Sequence, residues 1–461
     1  MKHFAGYLGK MTGVTCMLMM TLVLTFTLMS CGDDDDAPNN NGSESVSLGK
    51  ITIVLTGINS DLSGFEVKMR NTSTGNLFTE KSDAKGNATF TLSPGIYEAS
   101  TSMTRSDDAF QYNYNGSIGQ ITVNKGDNES IPLLLKESKI SLQGSVIIKE
   151  VYCGGCPKDE GTDFFQFDKC IILYNNSSNS ATLNDLCFGF VTPYNSNTDN
   201  KNYDEAGQLV YESENFIPAL NGIWYFTSTL TITPYSQVVV NCQGAINNTL
   251  TYSQSVNYAN ANYYCMYDHE SGYMNPSYYP VPADVIPTSH YLKAVKYGQG
   301  NAWPLSVTSP ALFIFQTKGT TPTAYANNPD NLWYSPGVQH TPVYACIKIP
   351  NAWIMDGIEV YTTAATDNHK RLTADIDAGY VSLTNKLGHT LYRNVNKAAT
   401  EALPENAGKL VYDYTLGVGS STDPSGIDAE ASMKKGAHII FMDTNNSSDD
   451  FHERQRCSLR N

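Results

Sequence analysis

The sequence predicts a mainly β chain, a small β-sandwich followed by a larger one with long loop insertions. Three observations predict it. Short stretches in which apolar and polar residues alternate recur from residue 51 onward, the period of a strand with one buried face. Only 16% of residues are charged while 41% are hydrophobic, and Gly, Asn, Ser, Thr and Tyr fill the difference, as in strands and turns. Pro276, Pro280, Pro282 and Pro287 break the most tyrosine-dense stretch, and no long helical period appears.

The chain opens with Lys2 and Lys10, an apolar Met- and Leu-rich run over 11–28, then Ser30 and Cys31. A basic start, a short apolar run and a small residue at the cut site predict a secretory signal over residues 1–30. The run is short for a span of ~20 residues and is interrupted by Thr15, Thr21, Thr25 and Thr27, which weighs against a transmembrane anchor. Ser30-Cys31 resembles the bacterial lipoprotein box. That resemblance implies cleavage before Cys31 and palmitate-type acylation of its thiol and new amine. Asp33–Asp36 resembles the acidic surface-export signal of Bacteroidetes-type lipoproteins; the plainer reading is a solvated, self-repelling spacer. Residues 31–47 then form an acidic flexible tether. The implied address is the outer membrane, lipid-anchored and facing the cell exterior.

Residues 48–138 read as the first sandwich. Ile51, Ile53 and Leu55 alternate with Thr52, Val54 and Thr56, and Phe65, Val67 and Met69 alternate with Glu66, Lys68 and Arg70. Asp83-Ala84-Lys85-Gly86 turns the chain into Asn87–Phe90, and Ser93-Pro94-Gly95 turns it into Ile96–Ala99. Ile121, Val123, Ile131, Leu133 and Leu135 close the unit. The paired turn-strand pattern resembles the carboxypeptidase-regulatory or transthyretin-like β-sandwich, which implies a fold and a spacer or docking role, not an activity.

From residue 145 the texture changes. Ser145–Val151 and Ala181–Phe190 read as strands, Lys169–Ser178 as a strand running into an Asn/Ser turn, and Ile232–Val240 as a turn feeding a buried strand. Lys397–Ala402 reads as a short helix ended before Pro404. With the closing Asp443-Thr444-Asn445-Asn446-Ser447-Ser448-Asp449-Asp450-Phe451, these resemble a lamin-tail-like immunoglobulin sandwich. Further marks are Lys348–Glu359, Lys370-Arg371-Leu372 and Asp377–Val381. Together they resemble a Bacteroidetes-type surface lipoprotein family of unknown function, over residues 145–461.

Ten of the 29 tyrosines fall between 252 and 297, in a Tyr-rich insertion at about 250–300. Tyr263, Tyr264, Tyr267, His269, Tyr273, Tyr278 and Tyr279 are the candidate ligand or partner contacts, because exposed aromatic rings stack on sugars and recur at interfaces. A self-packed loop whose hydroxyls bond to backbone is the plainer alternative, and haem ligation by His, Met or Tyr a minor one.

After removal of Cys16 and lipidation of Cys31, eight cysteines remain: Cys153, Cys156, Cys170, Cys187, Cys242, Cys265, Cys346 and Cys457. An even count in an exported chain favours disulfides of unspecified pairing. Cys153-Gly154-Gly155-Cys156 follows a strand rather than opening a helix, so it lacks the thioredoxin context, and the spacing of Cys170 and Cys187 is not that of a zinc ribbon. Asp443, Asn445, Ser447 and Asp449 are spaced like calcium-loop ligands, but Ser448 and Arg454 stand where an EF-hand needs Gly and Glu. An Asx-rich turn is the expected reading. No catalytic motif, metal site or cofactor is expected.

The net charge is −15, and removing residues 1–30, with two lysines and no acid, makes the mature chain more acidic. Nucleic acid is excluded as a favoured partner, because polyanions seek basic faces. The expected function is non-enzymatic binding: capture of a nutrient or metal-chelate, or docking on a TonB-dependent-type outer-membrane uptake receptor. The tether holds the chain at the membrane, and loops on a rigid sandwich suit recognition. A structural or adhesive surface protein and a hydrolase with an unrecognised site are the alternatives.

Overall fold

The computed structural model describes residues 48–106, 110–141 and 146–460. The signal, Cys31, Asp33–Asp36 and the tether lie outside the described residues. Among the described residues no helix is long and apolar enough to cross a membrane.

The first sandwich contains β1 (Gly49–Thr56), β2 (Glu66–Asn71), β3 (Leu77–Lys81), β4 (Asn87–Leu92), β5 (Gly95–Ser106), β6 (Phe110–Val123), β7 (Asn128–Leu134) and β8 (Lys136–Ser141). One sheet runs β4-β1-β7 and the other β3-β2-β5-β6-β8. The alternation read from sequence sets the inner face: Ile51, Ile53, Leu55, Phe65, Val67 and Met69 are all buried in one core. The Asp83 carboxylate accepts from Lys85 N at 2.8 Å and Asn87 N at 2.9 Å, and Gly86 supplies the positive φ the turn requires. β7 runs parallel to β1 and forms an edge.

The larger body is built on one twelve-stranded sheet. Its order is Val381–Leu383, Ile354–Thr362, Ala311–Gln316, Leu186–Phe190, Gly222–Tyr225, Tyr291–Lys296, Tyr264–Met266, Gln237–Gln243, Lys169–Asn175, Val146–Tyr152, Thr390–Arg393 and Phe451–Arg454. All twelve strands place side chains in a single interior. It runs from Val381 and Ile358 at one edge, through Trp224 and Val240, to Leu391 and Phe451 at the other. The sheet is therefore rolled round its own core.

The roll closes through side chains. Among the described residues no backbone ladder joins Ile354–Thr362 to Val146–Tyr152. Instead Asp356 Oδ2 accepts from Ile148 N at 2.6 Å and from the Arg393 guanidinium. Arg393 Nε in turn donates to Ile148 O at 2.7 Å. A bulge at Lys149 interrupts the pairing of Val146–Tyr152 with Lys169–Asn175. The register shift keeps both Ile148 and Val151 inside and sends Lys149 Nζ outward to Gln237 Oε1 (2.5 Å) and Glu430 Oε1 (2.6 Å).

Two expectations need correcting. Ala181–Phe190 is not one strand: Asp185 has φ +51°, so Ala181–Leu183 pairs with Leu230–Ile232 while Leu186–Phe190 enters the rolled sheet. The Tyr-rich insertion is not loop throughout: Tyr264–Met266 lies in the sheet wall, parallel to both neighbours. The helix Lys397–Glu401 is present, capped by Asn396 Oδ1 accepting from Ala399 N at 3.1 Å.

Asp356→Ala leaves the Arg393 charge and the Ile148 N–H without their shared partner in the interior. A loss of about 3–5 kcal/mol is expected, read as a lower urea midpoint.

Candidate functional site

The two sandwiches lie in one compact unit, held by a buried clamp. Arg70 of β2 meets Glu98 Oε1 at 2.5 Å and donates to the carbonyls of Thr366 (3.3 Å) and Asn368 (3.0 Å). Its guanidinium lies 5.3 Å from the ring centre of Tyr361 and 5.4 Å from that of Tyr380, two rings stacked at 4.0 Å. Elsewhere Asn115 Nδ2 donates to Thr444 O and Asn445 O at 3.2 and 3.1 Å. Gly119 N donates to Gly207 O at 2.8 Å. Gly119 is needed there, because a Cβ would sit 2.0 Å from the Tyr203 ring.

Beside this contact opens a groove of about 840 Å³ between β6, the β7 edge and the segment 204–215. Ile131, Pro132, Leu134, Leu209 and Val210 give it apolar walls, and Leu134 stands 52% exposed. Glu129, Asp204, Glu205 and Glu212 contribute carboxylates. Lys136 lies 3.1 Å from Glu212 and 3.7 Å from Asp375, so its charge is already engaged. Burial pushes the Glu212 carboxyl up despite that lysine. The arrangement suits an apolar body carrying a cationic group. Sequence reading missed the groove, because its walls come from segments some eighty residues apart, each unexceptional alone.

The seven candidate aromatic-site residues divide. Tyr273 and Tyr279 are interior: Tyr273 stacks on Trp224 at 5.6 Å and donates to Asn221 O at 3.0 Å, and the Tyr279 hydroxyl accepts from Trp303 N at 2.8 Å. As contacts for a partner these two are corrected to core residues. Tyr264 stacks on His290 at 4.1 Å, and Tyr278 meets Phe167 at 4.9 Å; both are half-buried. Half-buried Tyr267 packs beside exposed His269 at 4.5 Å, and Tyr263 is half-buried over Tyr152 and Cys170. The large hydrophobic residues that the insertion and its approach do expose are Leu250 at 84%, Val281 at 72% and Met274 at 53%.

Cys153, Cys156, Cys170, Cys187, Cys242, Cys265, Cys346 and Cys457 are free and buried, so the expected disulfides are not formed in this structure. Burial pushes the Cys153, Cys156 and Cys265 thiols up to about 12, which leaves them unreactive as nucleophiles. Among the described residues no cluster of three His, Cys, Asp or Glu could hold a metal. The calcium-like spacing resolves into a turn: Asp450 accepts from Thr444 N, Asn446 caps the helix Ser447–Asp450, and Arg393 lies 3.6 Å from Asp443.

The family marks also acquire structural roles. Glu359 Oε1 receives Arg371 Nε and Nη2 at 2.9 and 2.7 Å, and Glu359 Oε2 receives Arg371 N and Leu372 N. Asp377 accepts from Glu359 N and Ser447 N, both at 2.7 Å. These residues tie the 363–380 loop to the outer face of Ile354–Thr362.

Residues 233–458 match the family DUF4876, described as a protein of unknown function. The match to a family of unknown function, a kind of kinship expected from the sequence, spans a little under half of the chain. A crystal structure of a DUF4876 family protein from Bacteroides thetaiotaomicron is similar at 18% identity and a TM-score of 0.49, covering 88% of this chain and 94% of that one. A DUF3823 family protein from Parabacteroides merdae is similar at 9% identity and a TM-score of 0.15, covering 39% and 92%. No curated protein matches the chain.

Behind the Cys153–Cys156 loop, the Asp168 carboxylate is buried against Ser255 and Tyr152, and its Oδ1 has no protein partner. Burial pushes this carboxyl from 3.8 up to about 7. The folded chain therefore keeps a proton that the unfolded chain gives up. The resulting stabilisation is complete below the unfolded value and is lost as pH rises through about 7. Asp168→Asn should remove this dependence. Above pH 7 its urea midpoint is expected to exceed that of the parent, and the advantage should vanish towards pH 4.

Proposed function

We propose that the chain is a non-enzymatic binding protein, acylated at Cys31 and held on the exterior face of a bacterial outer membrane, that captures a ligand in the groove between its sandwiches. The observation that carries this reading is the groove itself: about 840 Å³, apolar in its walls and flanked by carboxylates. A preformed site spares the ordering cost of binding. Its chemistry favours an amphipathic amine or guanidine over an anion. The two modules are read as carboxypeptidase-regulatory-like and lamin-tail-like, the first lying nearer the tether. Delivery to a TonB-dependent-type receptor fits the exposed Leu250, Met274 and Val281, which an outer-membrane partner would cover.

Dansylcadaverine, an apolar fluorophore with an amine, tests the groove. Its fluorescence should rise saturably with the protein, and its anionic counterpart dansylglycine should not bind. Glu129→Gln combined with Glu205→Gln, and separately Leu134→Asn, should each weaken the amine several-fold with the fold unchanged. Equal binding of both dyes, or unaltered affinity in the variants, would overturn the assignment.

The anchor is tested separately. Cys31→Ser should abolish incorporation of labelled palmitate and move the protein from the membrane fraction to the soluble one. Unchanged fractionation of the variant counts against the lipid tether.

A further inference from the structure

After the edge strand Phe451–Arg454 the chain folds back over the outer face of the rolled sheet. Ser458 N donates to Glu150 Oε1 at 2.9 Å and its hydroxyl bonds to Glu150 Oε2, while Arg460 N closes a turn onto Cys457 O at 3.0 Å. Glu150 faces Ile172 in the ladder, and Tyr152 faces Cys170. The tail therefore lowers Cys457 into a cluster with Cys170, Tyr152, Ile172 and Tyr258, all fully buried. There Cys457 and Cys170 share one buried cluster on the outer face of the sheet.

Cys153 and Cys242, though near Cys170, belong to the interior of the rolled sheet rather than to this outer cluster, and the remaining described cysteines lie elsewhere. Cys187 Sγ lies 3.2 Å from Asp185 O, Cys242 Sγ 3.8 Å from Val240 O, and Cys346 Sγ 3.6 Å from Tyr344 O. Cys156 sits with Tyr152 and Ser255, and Cys265 packs with Ala245 and Ile286.

We propose that Cys170 and Cys457 are a cross-linking pair, joined as a disulfide when the chain matures in an oxidising compartment. Each thiol loses a proton, the two sulfurs together give up two electrons, and one S–S bond forms. A protein or small-molecule disulfide accepts the electrons and protons and leaves as two thiols. The bond would tie the tail to a strand three places in from the sheet edge Phe451–Arg454. It would also close a loop containing most of the larger body, the circumstance in which a cross-link most restricts the unfolded chain.

The test uses the full chain made in two ways. One sample is recovered from the cell envelope; the other is produced with its thiols reduced and refolded with oxidised glutathione. Free thiols are blocked with iodoacetamide and the protein is digested without reduction. A peptide containing Cys170 joined to one containing Cys457, lighter by two hydrogens than the pair of free peptides, is the expected product in both samples. Cys457→Ala should remove it and speed hydrogen exchange over residues 455–460, and reduction of the parent should do the same. Quantitative alkylation of both cysteines in both samples overturns the pairing, as does either one linked elsewhere. A linkage in the refolded sample alone overturns the claim that maturation joins the two.

Discussion

The contact between Asp356, Arg393 and the backbone of Ile148 is the constraint on which the larger body depends. A sheet of twelve strands must close, split or leave two bare edges. Here it rolls, and the two halves meet where Ile354–Thr362 approaches Val146–Tyr152 without a ladder. At that gap the backbone of Ile148 gives its N–H to Asp356 and its C=O to Arg393, and the two side chains pair with each other. A buried peptide group left without partners would cost about 1–3 kcal/mol, and a buried unpaired charge more. The ion pair and the peptide thus satisfy one another. Further round the same seam, Glu453 accepts from Thr384 N at 2.6 Å and meets His389 Nδ1 at 2.8 Å, joining the two edge strands.

The strand Ile354–Thr362 connects this seam to the groove through its period of two. Its inward residues Ile358 and Val360 fill the core, and Asp356 closes the roll. Its outward residues do the opposite work. Glu359 fixes the 363–380 loop through Arg371, and Tyr361 stacks with Tyr380 beside Arg70. The loop supplies the Thr366 and Asn368 carbonyls that Arg70 needs. The small sandwich is therefore held by the same strand that shuts the larger one, and the shape of the groove follows from both.

Much of the strand pattern was legible. Ile51, Ile53 and Leu55 announced their face by alternation, and the Asp83 turn and the helix after Asn396 announced themselves by residue chemistry. What the sequence concealed is of two kinds. Arg70 alternates with apolar residues and reads as a solvent-facing position, yet it is only 7% exposed, because a second body covers that face. Its partners lie up to 298 residues away, beyond any local pattern. Likewise Glu359, Arg371 and Asp377 stood out as family marks without disclosing that they bond to one another. The second kind concerns short elements: Tyr264–Met266 has three residues, too few for a period, so a piece of sheet wall looked like loop. Tyrosines then suggested a wet surface where hydroxyl-to-backbone bonds allow them to serve as core.

That reversal moves the proposed recognition surface away from the tyrosines. A tyrosine whose hydroxyl is bonded and whose ring is packed against other rings in the core has little left to offer a ligand, and Tyr273 and Tyr279 are both so placed. The groove is different. Leu134 stays half in water on an edge strand, a position that invites pairing with other chains unless something blocks it. Pro132 provides the block by removing an N–H from that edge, and Glu129 adds charge repulsion. An edge guarded against strand addition yet left apolar in its side chains is suited to a compact ligand rather than an extended one. The carboxylates around it, with Lys136 already engaged by Glu212, make the groove suited to a cation rather than an anion.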